Sequence, residues 1–317
     1  MRFDVDAWDP GYGTGFEGGD GPATPSSAQL AADVELPATV WQPLTPPGDV
    51  RAPATVLLVD GVRRIDAGMW VTGDDGITHR GLAASYAAGV VRCDLRRGAA
   101  EVASAQVQRG LFTSSPSATD VVAGTIRYTA HQMGRDDEAT LKGGVQAQLA
   151  SVEARVSGET REDDDLLVVD GPLRGRQHLP RALGYVKTHR VEYLPAELTT
   201  VVTALKAGQR SPVFHVGTTW HRYAWYLRLP GPAGAPWAGI VRLECAAELP
   251  VSQAIALADL SAVTLPRFAS TPYKDPRAPQ NLIPIAGLER RLRAMLGDAR
   301  LLLRALTIAS RHPVAVP

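Results

Sequence analysis

The chain has 317 residues, enough for one large domain or two modest ones, and at 45% hydrophobic and 21% charged it can build a substantial core. Its 33 Lys+Arg balance 33 Asp+Glu, so net charge advertises no nucleic-acid partner, and any such surface has to come from local clustering. No run of about 18 apolar residues is present, which excludes a transmembrane helix and leaves no membrane partner to expect.

Residues 1–35 are rich in Gly, Pro, Ser and acidic residues, as in Asp9-Pro10-Gly11 and Gly18-Gly19-Asp20-Gly21-Pro22, and this composition predicts a flexible N-terminal arm. Met1–Asp6 has no apolar signal region. Cys93 and Cys245 lie in apolar contexts without metal-ligand spacing, so buried free thiols and a reducing, cytoplasmic location are expected. With no sharp composition break after the arm, residues 36–317 read as a single domain.

Residues 36–53 suggest an edge strand. From Ala54 to about Ser114 the pattern predicts an antiparallel meander, beginning with the buried strand Val56–Asp60 and continuing through Asp66–Thr72, Leu82–Leu95 and Glu101–Leu111. A helix over 136–156 follows from Leu141, Val145, Leu149, Val152 and Val156, which recur every three or four residues. The acidic run Glu162–Asp165 reads as a solvated loop. It leads into a second buried strand, Leu166–Asp170, stopped by Gly171-Pro172. A strand over 182–188 and a helix over 196–207 come next. Strands are expected within 212–219, 220–229 and 237–245, then a helix over 251–262, a proline-rich loop over 264–284 and one last helix over 284–310. Meander, helix, strand, helix and strand is the order of an α/β, ribonuclease-H-like mixed sheet flanked by helices.

The apolar runs Thr55–Val59 and Leu166–Val169 each end in Asp-Gly. Open α/β sheets bind ligands just beyond the carboxyl ends of their strands. Asp60 and Asp170 are therefore expected at two strand ends, and two like charges brought together call for a proton or a cation. Glu153 borders the apolar stripe of the 136–156 helix and points towards whatever that helix packs on. Three carboxylates suit Mn²⁺ or Mg²⁺, and two such ions can activate water and stabilise a leaving oxygen. Arg63, Arg64, Arg174, Arg176, Lys187 and Arg190 follow the same strand ends and are candidates to hold DNA phosphates. Trp220, His221, Tyr223, Trp225 and Tyr226 could stack bases, although an alternating core-and-surface strand explains them as well. The histidines lack HxH or HExxH spacing, so no zinc site is expected, and no P-loop or G-x-S-x-G motif is present.

Two segments resemble the NurA nucleases. Leu58-Val59-Asp60-Gly61-Val62-Arg63-Arg64 is similar to that family's first aspartate motif. Leu167-Val168-Val169-Asp170-Gly171-Pro172-Leu173, followed by Leu183-Gly184-Tyr185-Val186-Lys187, is similar to its "DG-x-L … G-x-V-K" signature, and Glu153 matches its helix-borne glutamate. The resemblance spans roughly residues 50–310. It implies a ribonuclease-H-like fold, a manganese-dependent DNA nuclease with catalytic Asp60, Glu153, Asp170 and Lys187, a homodimer, and partnership with a HerA-type hexameric ATPase. The reaction would be DNA end resection in repair or defence. Val62 stands where the family often has a small hydroxyl residue. The family's C-terminal histidine/tyrosine motif is matched only by Tyr273–Leu282, which contains no histidine and offers Asp275 as a candidate fourth ligand. A catalytically silent adaptor that binds DNA or a translocase is the alternative reading, and an enzyme acting on RNA a third.

Overall fold

The computed structural model describes residues 24–25, 28–73, 76–189, 191–232 and 234–311. In chain order the strands and helices are β1 (Thr24–Pro25), β2 (Gln29–Ala31), β3 (Thr55–Thr72), β4 (Thr78–Asp94), β5 (Ala99–Thr113), β6 (Val121–Ala123), β7 (Ile126–Gln132), α1 (Glu138–Glu159), β8 (Leu166–Asp170), β9 (Ala182–Val186), β10 (Val191–Glu192), α2 (Ala196–Thr203), β11 (Phe214–Gly217), β12 (His221–Arg228), β13 (Ile240–Ala246), α3 (Val251–Thr264), α4 (Ile283–Met295) and α5 (Ala299–Arg311). The fold is mixed α/β, with a large mixed sheet flanked by helices, as the order of elements implied.

The chain forms two compact units, one of residues 1–58, 92–101 and 161–286, the other of residues 59–91, 102–160 and 287–317. In the first, strands run in the order β2-β11-β12-β13-β9-β8. All neighbours are antiparallel except β8 and β9, which are parallel. Alternation along β11 and β12 sends Phe214, Val216, Ala224 and Tyr226 into a core shared with Trp41, Leu198, Val202 and Ile240. Helix α3 covers the other face of β12, where the buried Trp225 indole donates to Ser261 Oγ at 3.1 Å.

In the second unit the order is β3-β4-β5-β7-β6, with β5 and β7 parallel and β6 and β7 antiparallel. Residues Gly81–Val91 of β4 are almost uniformly small or apolar and all buried, as in a strand covered on both sides. A carboxylate sits inside this unit: Asp66 accepts from Ser85 Oγ at 2.5 Å, Tyr128 OH at 3.0 Å and Arg64 Nε at 2.8 Å. Burial, and after it the charge of Asp66, pushes the Tyr128 hydroxyl up to about 12, so it remains a donor. Helix α1 starts where Asp137 accepts from Thr140 N at 2.9 Å and Thr140 Oγ1 at 2.7 Å.

Several sequence expectations are corrected. The first buried strand does not stop at Asp60-Gly61. Gly61 keeps extended backbone, so β3 runs 18 residues to Thr72 and Asp60 lies inside the strand rather than at its end. The last helix is two helices, because Gly297 adopts φ +80° and Asp298 caps α5 by accepting from Arg300 N and Leu301 N at 2.8 and 3.0 Å. Residues 36–53 carry a 3₁₀ turn, Ala38–Val40, and a single bridge from Leu44 to Arg210 in place of an edge strand. The acidic run is not wholly solvated, since Asp165 is buried and takes Arg92 at 3.2 Å. Strands β6 and β7 were not anticipated. Of the arm, residues 28–35 are tied down: β2 pairs with β11, and Glu35 holds the buried Arg210 through two bonds of 2.7 and 2.8 Å.

Candidate functional site

The sequence signature around Asp170 has a direct structural cause. Asp170 ends β8, and Gly171 turns the chain with φ +106°, a conformation that L side chains avoid. The turned loop then presses on β9. A Cβ on Gly184 would sit 2.6 Å from Leu173 N and 3.0 Å from Gly171 O, so residue 184 has to lack a side chain. The parallel register pairs Asp170 with Tyr185, and Lys187 follows two residues on, just past the end of β9.

This placement brings the Lys187 ammonium to Asp170 Oδ2 at 2.5 Å. The ammonium also donates to Asn281 Oδ1 at 2.9 Å, and Asn281 Nδ2 donates to Asp275 Oδ2 at 2.7 Å. Asp275 Oδ1 in turn accepts from Arg277 N at 2.8 Å and Arg277 Nε at 3.4 Å. The segment Tyr273–Leu282 thus delivers its residues to the Asp170–Lys187 pair, with Asp275 linked to it through Asn281. Beneath them Tyr185 is fully buried and donates to Gln280 O at 2.6 Å. Burial first, and then the Asp170 charge, hold its hydroxyl well above the usual phenol range, so it stays protonated.

A cleft of about 470 Å³ opens on this pair and is lined by Asp170, Tyr185, Lys187, Tyr193, Arg242 and Arg277, among others. Arg242 belongs to a second charged group inside the sheet. Glu244 Oε1 accepts from Arg222 Nε at 3.0 Å and from Arg242 Nη2 at 2.9 Å, and both guanidinium groups lie near the Tyr193 ring, at 5.2 and 4.8 Å from its centre. Two cations share one carboxylate, which leaves this wall of the cleft with excess positive charge suited to an anion.

The other two carboxylates belong to the second unit. Asp60 Oδ1 accepts from the Gly61 amide at 2.7 Å. Glu153, only 8% exposed, lies against the same glycine: a Cβ on Gly61 would stand 2.3 Å from Glu153 Oε1 and 2.7 Å from Leu149 Cδ1. Glu153 therefore does face the strand that carries Asp60, as its place beside the apolar stripe implied. Carboxylates are the ligand type of Mn²⁺ and Mg²⁺. Among the described residues, however, no group of three or more His, Cys, Asp or Glu stands so as to hold a metal ion.

Of the predicted phosphate-binding residues, Arg63 and Arg174 are exposed. Arg64 is engaged by Asp66 and by the Gly297 carbonyl at 2.8 Å, and Arg176 is buried. Arg190 lies outside the described residues, as do Phe3, Trp8, Tyr12 and Phe16 of the arm. In the aromatic group of β12, Trp225 and Tyr226 are buried on opposite faces of the strand, while His221 is exposed. Sequence reading missed Asn281, Arg242 and Tyr193. The signal for Arg242 was present, since Arg242 and Glu244 interrupt the apolar run of β13 and a buried strand tolerates two charges only as partners.

No protein-family profile and no curated protein matches the chain. Among solved structures, Endonuclease V from Bacillus subtilis is similar at 13% identity and a TM-score of 0.35, over 79% of this chain and 85% of that one. The catalytic domain of human Endonuclease V is similar at 16% identity and a TM-score of 0.34, over 77% and 82%.

Proposed function

We propose that the chain is a metal-dependent DNA nuclease in which Asp170 and Lys187 are the central catalytic pair. The observation that carries this reading is the Asp170–Lys187 contact at 2.5 Å, opening onto a cleft whose wall adds Arg242 and Arg277. A phosphodiester seated there meets Lys187 and Arg277, which neutralise the charge that grows on its oxygens in the transition state. Arg242 supplies a further fixed cation at the wall. The sequence motifs add Asp60 and Glu153 as further carboxylates, with Asp275 the candidate fourth ligand; a hard cation, Mn²⁺ or Mg²⁺, would supply Lewis acidity. The NurA-like motifs support DNA as substrate, a homodimer, and a HerA-type ATPase as the source of translocation, since the sequence has no nucleotide-binding motif of its own.

A second reading, a silent adaptor that binds DNA without cutting it, is favoured by one observation: the segment Tyr273–Leu282, which reaches Lys187 through Asn281, contains no histidine. Purified protein incubated with labelled single- and double-stranded DNA and RNA, in Mn²⁺, Mg²⁺ or EDTA, separates the two. The nuclease reading expects DNA cleavage that EDTA abolishes, a loss of about 100-fold or more in Asp170→Asn, and a smaller loss of about tenfold or more in Lys187→Ala. DNA binding without cleavage under every condition establishes the adaptor, and cleavage confined to RNA rejects DNA as the substrate.

A further inference from the structure

On β11 and β12, away from the cleft, two histidines meet. The antiparallel register sets His215 opposite Tyr223 and Gly217 opposite His221. Because Phe214, Val216, Ala224 and Tyr226 take the core face, His215, Gly217, His221 and Tyr223 share the other face. Gly217 is what lets the two rings meet. A Cβ at that position would fall 2.9 Å from His221 Cε1 and 3.0 Å from His221 Nδ1, so the His221 ring lies over the bare glycine backbone. There its Nδ1 comes to 3.2 Å from His215 Nε2, with the ring centres 5.2 Å apart and the planes 18° from parallel. Tyr223 stands edge-on to His215 at 6.0 Å. His221 is exposed and His215 half-buried.

Two imidazole nitrogens bound to one tetrahedral ion at about 2.0–2.1 Å stand about 3.3–3.4 Å apart. The observed spacing is already close to that value, on two hydrogen-bonded strands that hold it. We infer that His215 and His221 form a two-histidine clip for a borderline divalent transition metal of the Zn²⁺, Ni²⁺ and Cu²⁺ class, with water completing the coordination. Imidazole prefers these ions to Mn²⁺ and Mg²⁺, so the clip is independent of the carboxylates assigned to the nuclease reaction. Bound metal would pin β11 to β12 beside the short edge strand β2.

The test uses the full chain after treatment with chelator, titrated with Zn²⁺ and Ni²⁺ against a metal-sensitive dye, and Cu²⁺ followed by electron paramagnetic resonance. One equivalent is expected to bind, with nitrogen hyperfine structure on Cu²⁺ and a higher thermal midpoint with Zn²⁺. His221→Ala and His215→Ala should each weaken binding by about tenfold or more. Gly217→Ala, which keeps both histidines but takes the space of the His221 ring, should weaken it as well, and circular dichroism confirms that each variant is folded. Unchanged Zn²⁺ binding in His215→Ala/His221→Ala, or no binding to the wild-type chain, overturns the clip and leaves the nuclease reading untouched.

Discussion

Gly184 shows how much one missing side chain can decide. The loop after Asp170 packs its backbone onto β9 at this glycine, closer than any Cβ allows. Gly184→Ala therefore has to displace the loop that aims Asp170, and a stability loss of about 1–3 kcal/mol is expected. Urea unfolding reads it directly, and a midpoint equal to wild type would mean the loop gives way freely. His189 offers a test by pH. It is 3% exposed, its Nε2 lies 3.1 Å from the Ile240 carbonyl, and burial lowers its pKa from 6.5 to about 4. Between those values the unfolded chain binds a proton that the folded chain refuses, so stability is complete above about pH 6.5 and declines as pH falls towards 4. The loss approaches about 3 kcal/mol. Unfolding midpoints measured at pH 7 and 4.5 should differ less in His189→Gln than in wild type; an equal difference would place the effect on other groups.

At the scale of elements, charge tethers and caps decide more than propensity does. Arg210 is buried and held by Glu35 on one side and by Asp259 of α3 at 2.7 Å on the other. Glu35 also accepts from Val213 N at 2.7 Å. Glu35→Ala leaves Arg210 short of one of its two carboxylates and should cost about 3–5 kcal/mol. Thermal unfolding measures that, and a loss below about 1 kcal/mol would show that Asp259 and water compensate. The same tether explains why composition misled over residues 28–35: the end of an arm rich in Gly, Pro and Ser looks detached until Glu35 finds a buried partner 175 residues away. Helix α1, in contrast, was legible, because apolar residues recurring every three or four positions have no competing reading.

For the whole molecule, the proposed homodimer needs apolar surface. Helix α5 buries Leu302 and Leu306 but leaves Leu301 65% and Ile308 53% exposed, seven residues apart and so on one flank. Light scattering at micromolar concentration should show a dimer, and Leu301→Glu/Ile308→Glu should shift it to monomer without unfolding it. A strict monomer in wild type contradicts the dimer. Among the described residues no helix is long and apolar enough to cross a membrane.

The sequence by itself determined the apolar strands and the α1 stripe, because these depend on local periodicity, and the resemblance to a known signature singled out Asp170 and Lys187, whose contact the β8–β9 register then made. It also placed Glu153 on the strand-facing side of α1, which the contact with Gly61 bears out. It misjudged Asp60, since an Asp-Gly pair reads as a turn, whereas Gly61 here sits inside the strand, where its missing side chain leaves room for Glu153 and Leu149 of α1. Only the tertiary structure decided that Asn281 and Asp275 join Lys187, that Arg222 and Arg242 share Glu244, and that His215 meets His221. Each of these depends on which distant segments become neighbours, and that is set by sheet order and burial, which local pattern does not encode.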